Sequence, residues 1–153
     1  MKIGLACDHA GFELKEEIKS LLLSLGIESM DFGTFNEDSV DYPDYGILVA
    51  EKVSRGDLER GILICGTGIG MSIVANKFPR VRAALVHDLY SSRCSREHND
   101  ANVLTLGAGL IGVNLAKQIL KTWLATEFAG GRHAQRVEKI ISIEKSYAKE
   151  GKS

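Results

Sequence analysis

Three observations predict a three-layer α/β/α fold for this 153-residue chain. Short apolar runs of strand character alternate with amphipathic helical stretches, the connections between them are short, and polar or glycine-rich turns follow the runs where strands would end. Alternation with such short connections requires parallel strands joined by right-handed crossovers.

Lys2-Ile3-Gly4-Leu5-Ala6-Cys7 reads as the first strand. Phe12, Leu14, Ile18, Leu21, Leu22 and Leu25 then recur at three- and four-residue intervals, with Glu13, Lys15, Glu16, Glu17 and Lys19 between them, which is an amphipathic helix. Gly26 falls at its expected stop, and Ile27 to Phe32 form a second strand ending in Gly33. Asp41-Tyr42-Pro43 opens the next helix, since Asp41 can cap it and proline is tolerated in a first turn. Tyr45, Leu48, Val49 and Val53 supply its buried side, and Gly56 helps end it. Gly61 to Cys65 is the third strand, Met71 begins a short helix to about Lys77, Val81 to Val86 is the fourth strand and Leu89 to Glu97 a helix. Val103 to Leu106 is the fifth strand, and Ile111 to Ala125 a long helix. Beyond Gly130-Gly131, Arg132 to Lys149 is helical with Val137, Ile140, Ile141 and Ile143 on it, yet no strand remains for it to cover, so a second subunit is its expected partner. Residues 1–149 are expected to form one domain, with 150–153 as a tail.

Composition narrows the function. The chain is 44% hydrophobic and 25% charged, as soluble globular proteins are, and 19 basic against 20 acidic residues give a net charge of −1, which implies no general attraction to nucleic acid or membranes. Cys7, Cys65 and Cys94 are odd in number and show no CxxC spacing, which argues against a disulfide framework or a structural zinc site and fits a reducing cytoplasm. No signal segment opens the chain, and no apolar run approaches a membrane span.

Chemistry concentrates in Cys65-Gly66-Thr67-Gly68-Ile69-Gly70-Met71-Ser72, where an apolar strand runs into a turn with three alternating glycines. Such a turn brings backbone N–H groups close to an anion or a developing oxyanion, and a helix start favours a thiolate. The G-x-G-x-G pattern misses the G-x-G-x-x-G dinucleotide spacing, lacks the Gly-Lys-Ser/Thr ending of an ATPase loop, and has Met71 where a C-x5-R phosphatase needs arginine. Asp8-His9 follow the first strand and can converge with Cys65 at the carboxyl edge of an open sheet, where ligands bind. His98-Asn99-Asp100, between a helix and the fifth strand, and His87-Asp88, after the fourth, are further loop candidates. Arg132 and Arg136, four apart near a helix start, can reach one phosphate together. Cys7 and Cys94 look structural.

Taken with Asp41-Tyr42-Pro43, His98-Asn99-Asp100-Ala101-Asn102 and Gly130-Gly131-Arg132-His133-x-x-Arg136, these motifs resemble, in order and over nearly the full length, the type B ribose-5-phosphate isomerase family. That family also includes allose-6-phosphate isomerases and galactose-6-phosphate isomerase subunits. The resemblance implies a Rossmann-like sandwich with a five-stranded, mostly parallel sheet. It also implies an aldose–ketose isomerase that interconverts ribose 5-phosphate and ribulose 5-phosphate, a step of the non-oxidative pentose phosphate pathway. By the same resemblance Cys65 is the base that moves a proton between C1 and C2, and His98 assists ring opening with Thr67 nearby. Asp8, His9 and Tyr42 line the sugar site, and Asn99 holds substrate oxygens. Backbone N–H groups of Gly66, Thr67, Gly68, Ile69 and Gly70 stabilise the enediolate, and Arg132 and Arg136 bind phosphate with His9. No metal or cofactor is implied, and a homodimer or homotetramer with composite sites is.

The chain departs from the family pattern at one place. Many relatives carry a phosphate-contacting arginine after the fifth strand, and here Gly107-Ala108-Gly109 puts glycine there. Besides a ribose 5-phosphate isomerase, the sequence leaves open a six-carbon substrate such as allose or galactose 6-phosphate, a non-catalytic sugar-phosphate-binding protein, and a thiol-redox role for Cys65.

Overall fold

The structure is a computed structural model that describes residues 1–150. Five strands, β1 (Lys2–Cys7), β2 (Glu28–Asp31), β3 (Arg60–Cys65), β4 (Ala83–Leu85) and β5 (Val103–Gly107), form one sheet in the order β2-β1-β3-β5-β4. Every pairing is parallel, so the sheet is parallel throughout rather than mostly so. The helices are α1 (Phe12–Ser24), α2 (Tyr42–Arg55), α3 (Ile69–Ala75), α4 (Leu89–Glu97), α5 (Val113–Ala125) and α6 (Arg132–Glu150). The expected tail begins at residue 150, which is still helical, and residues 151–153 lie outside the described residues.

The central strands are apolar on both sides because helices cover both faces. Ile62 and Ile64 of β3 join Leu5, Leu104 and Leu106 beneath α1 and α5, around Ile18, Leu22, Ile119 and Trp123. Leu63 and Cys65 point the other way, into a second core with Val49, Val53 and Met71 from α2 and α3. This alternation along one strand is the two-residue period of β structure.

Several boundaries move. Asp41 stands at the N-cap of α2 but its side chain makes no capping bond, while Pro43 sits in the first turn and Gly56 closes the helix in the left-handed region at φ +85°. The fourth strand shrinks from Val81–Val86 to three residues because Arg82 is drawn into the loop before β5, its Nε donating to the Asn99 and Asp100 carbonyls. A short edge strand results, which limits pairing with other chains.

Helix α1 contains a charge that its pattern concealed. Lys15 is fully buried, with Nζ 2.6 Å from both Asp31 carboxylate oxygens, and Lys19 adds a contact at 2.9 Å. Burial pushes the Asp31 carboxyl up, but the hydrogen bonds from Lys15, Lys19 and the Gly33 N–H outweigh it and hold the group below the usual carboxylate range.

Candidate active site

The sheet has one switch point. The chain leaves β1 for α1 on one face and β3 for α3 on the other, so the crevice of an open α/β sheet falls between the carboxyl ends of β1 and β3. Cys7 pairs with Ile64, which sets Asp8 level with Cys65. Asp8 is buried, and its carboxylate accepts the Gly11 N–H at 3.1 Å, capping a single 3-10 turn over His9–Gly11. That turn lies flat on β3, since a Cβ at Gly11 would sit 2.7 Å from the Ile64 carbonyl oxygen. The half-buried His9 accepts the Val40 N–H on Nδ1 at 3.2 Å, which assigns the proton of the neutral ring to Nε2.

Cys65 is 4% exposed, and the Gly68 N–H donates to its Sγ at 3.1 Å. Such a donor stabilises negative charge on sulfur. The bond needs Gly68 in the left-handed region at φ +75°, where glycine is strain-free. Thr67 Oγ1 accepts the Ile69 N–H at 3.2 Å. The loop after β5 pins the turn from the other side, with Ala108 N–H donating to the Cys65 carbonyl and Gly109 N–H to the Gly66 carbonyl, both at 2.9 Å. Gly109 therefore lies directly against the turn. The Tyr42 ring rests on Gly70, where a Cβ would fall 2.5 Å from Cζ. Asp8, His9, Tyr42, Cys65 and the Gly66–Gly70 turn thus occupy one edge of the sheet.

The remaining candidates occupy the other edge. Helix α4 runs back against the strand direction and delivers His98 and Asn99 to the start of β5. Asn102 accepts the Arg82 N–H at 2.8 Å and donates to the Arg80 carbonyl, tying this loop to the entry of β4. From Val103 to Gly107, the residue opposite Cys65, is four strand steps, or about 13 Å. Ala129 N–H donates to the Glu97 carbonyl at 3.0 Å and docks the start of α6 beside α4. His133 then stacks on His98, with centroids 4.2 Å apart and planes 6° from parallel. Desolvation, then His98, Arg132 and Arg136, lower the His133 imidazolium below the ordinary histidine value. Arg132 and Arg136 are exposed on the same helix. The predicted residues therefore divide into two groups, and no side chain of one spans the distance to the other.

The other cysteines are placed differently. Burial pushes the Cys7 thiol up to about 12 against the opposing pull of Lys15, so it stays a neutral packing group. The sequence reading missed the Lys15–Asp31 pair, which anchors this edge: Asp31 accepts the Gly33 N–H, and Gly33 and Thr34 hydrogen-bond Cys7 on either side of its peptide. The signal was present, because Lys15 shares the α1 stripe of Gly11, Ile18 and Leu22.

A thiol under an N–H donor, level with a carboxylate and an imidazole at the switch point of a parallel sheet, defines an α/β enzyme acting on a small polar substrate. Residues 3–140 match the family described as Ribose/Galactose Isomerase, and the chain belongs to that family. It is 50% identical to ribose-5-phosphate isomerase B of Escherichia coli over 94% of this chain and 96% of that protein. It is 44% identical to D-erythrulose-4-phosphate isomerase of Pectobacterium atrosepticum over 92% and 93% of the two chains. Among solved structures, ribose-5-phosphate isomerase B of Clostridium thermocellum superposes with a TM-score of 0.94 at 56% identity, covering 96% of this chain and 99% of that one. The protein is an aldose–ketose isomerase of sugar phosphates. Among the described residues, no helix is long and apolar enough to cross a membrane.

Proposed function

We propose that residues 1–149 form a single domain that interconverts ribose 5-phosphate and ribulose 5-phosphate in the cytoplasm, through an enediolate and with Cys65 as base. The observation that carries this reading is the Gly68 N–H aimed at the Cys65 sulfur beside the Asp8–His9 turn. A thiolate there removes the proton from C2 of the open-chain aldose. Electrons move toward O1, the turn's N–H groups stabilise the charge that develops, the O2 hydroxyl proton passes to O1, and the protonated sulfur returns its proton to C1 as the C2 carbonyl forms. His9, with its proton on Nε2, is a neutral donor to the substrate. His98 assists ring opening, and Arg132 and Arg136 bind the phosphate.

For those groups to meet Cys65, a second copy of the chain must supply His98, Asn99, Arg132 and Arg136. The opposite-edge placement supports a homodimer with composite sites, and so does α6. Among the described residues of that helix only Val137 is buried, while Ile140, Ile143 and Tyr147 stay exposed along a groove of ≈ 730 Å³ that runs past Ala83 and Ala84 of the β4 edge. Coexpression of differently tagged Cys65→Ala and His98→Asn chains tests the arrangement. In a two-fold dimer each mixed pair holds one intact site, so random pairing restores about a quarter of wild-type activity. Activity no higher than that of either variant alone would place both groups in one chain's site.

Conversion of ribose 5-phosphate followed by NMR in deuterated buffer with EDTA tests the reaction. Product carrying deuterium at the transferred position is the expected result. Absence of turnover would redirect the assignment to other phosphorylated sugars, a four-carbon one included, since Gly109 offers no side chain where the loop meets the turn.

A further inference from the structure

His87 is outside every role assigned above, yet its Nε2 is buried with no hydrogen-bond partner among the described residues. Such an orphan is uncommon in folded proteins and calls for a cause. The residue follows β4 at the carboxyl edge, and its ring reaches across to Gly107, the β5 residue opposite Cys65. A Cβ at Gly107 would lie 2.6 Å from the Thr67 carbonyl oxygen and 2.9 Å from His87 Nε2. The absent side chain leaves the imidazole nitrogen and that carbonyl bordering one small space. The carbonyl belongs to the Thr67–Gly68 peptide, whose N–H is the donor to Cys65 Sγ.

We propose that His87 is a positioning residue for Cys65: a small turn of its ring across the space beside Gly107 closes the gap that leaves Nε2 without a partner, so that the Nε2 proton is donated to the Thr67 carbonyl and, through that peptide, strengthens the Gly68 N–H bond to the sulfur. Hydrogen bonds in series across a peptide polarise one another, and a donor at the carbonyl end makes the N–H end a better donor. The role in catalysis rests on Cys65 being the base, whereas the effect on the sulfur does not.

Two measurements on the full-length protein separate these. Long-range proton–nitrogen NMR of the wild type reports the His87 tautomer, and a proton on Nδ1 alone would overturn the proposal without any variant having to fold. The second is the rate of Cys65 alkylation by iodoacetamide at fixed pH, located by peptide mapping, in His87→Phe and His87→Gln. Phenylalanine keeps a ring without a donor, and glutamine restores one. Expected is alkylation slowed about two- to fourfold in His87→Phe, recovery in His87→Gln, and a matching fall in kcat with KM unchanged. Wild-type alkylation in His87→Phe, or equal slowing in both variants, would reduce His87 to packing. Slowed alkylation with unchanged kcat would uphold the bond and count against Cys65 as base.

Discussion

Cys65→Ala loses about 10²- to 10⁴-fold in kcat on ribose 5-phosphate while KM stays near the wild-type value, since a positioned base is worth that much and a missing methyl-sized group leaves the sugar contacts in place. The comparison with Arg132→Ala sharpens the assignment. Arg132 is exposed at the first turn of α6 and contacts no reacting carbon in the proposed site, so its loss raises KM instead. Steady-state kinetics on the two variants decide the matter. Wild-type turnover in Cys65→Ala would remove the sulfur from the mechanism.

Lys15→Ala destabilises the fold by about 3 kcal/mol or more, because it leaves the Asp31 carboxylate in its site with only the half-exposed Lys19 as a cationic partner. Urea denaturation at neutral pH measures the loss, and a cost below about 1 kcal/mol would show that water or Lys19 satisfies Asp31 instead. The sign of the acid response follows from the lowered Asp31 carboxyl. A group whose folded pKa lies below its unfolded value stabilises the fold above the unfolded value, and that contribution disappears as pH falls through the folded one. The wild type therefore loses stability on acidification below about pH 4, and Lys15→Ala loses less over the same interval because part of the pairing is already gone.

Strand and helix order was legible in the chain because local patterns carry it. The two-residue alternation of Ile62, Leu63, Ile64 and Cys65 between two cores, and the glycine stops at Gly26 and Gly56, are decided within a few residues. What depends on distant partners was not. Val81 to Val86 has strand character over six residues, but the Arg82 bonds to the loop before β5 leave only three in the sheet. Lys15 belongs to a charged series by composition and to the core by position, and only the arrival of Asp31 from β2 makes that burial tolerable. The glycine turn announced itself through spacing, whereas the edge on which His98 emerges depends on the direction of α4, which no motif encodes. His87 was visible as a loop histidine, but its approach to the Thr67 carbonyl follows from Gly107, a residue that looks like an ordinary strand end.

The clasp on the glycine turn also sets an order of assembly. The carbonyls of Cys65 and Gly66 find their partners in the N–H groups of Ala108 and Gly109, more than forty residues further along the chain, and β3 gains its second neighbour only when β5 arrives. As the chain emerges during synthesis, β1 and β2 with α1 can associate early, but the centre of the sheet stays open until both later strands are made. The glycine turn is thus among the last parts to take its final shape, and a nascent chain that ends before Gly109 carries the Cys65 thiol without the clasp on the turn that follows it.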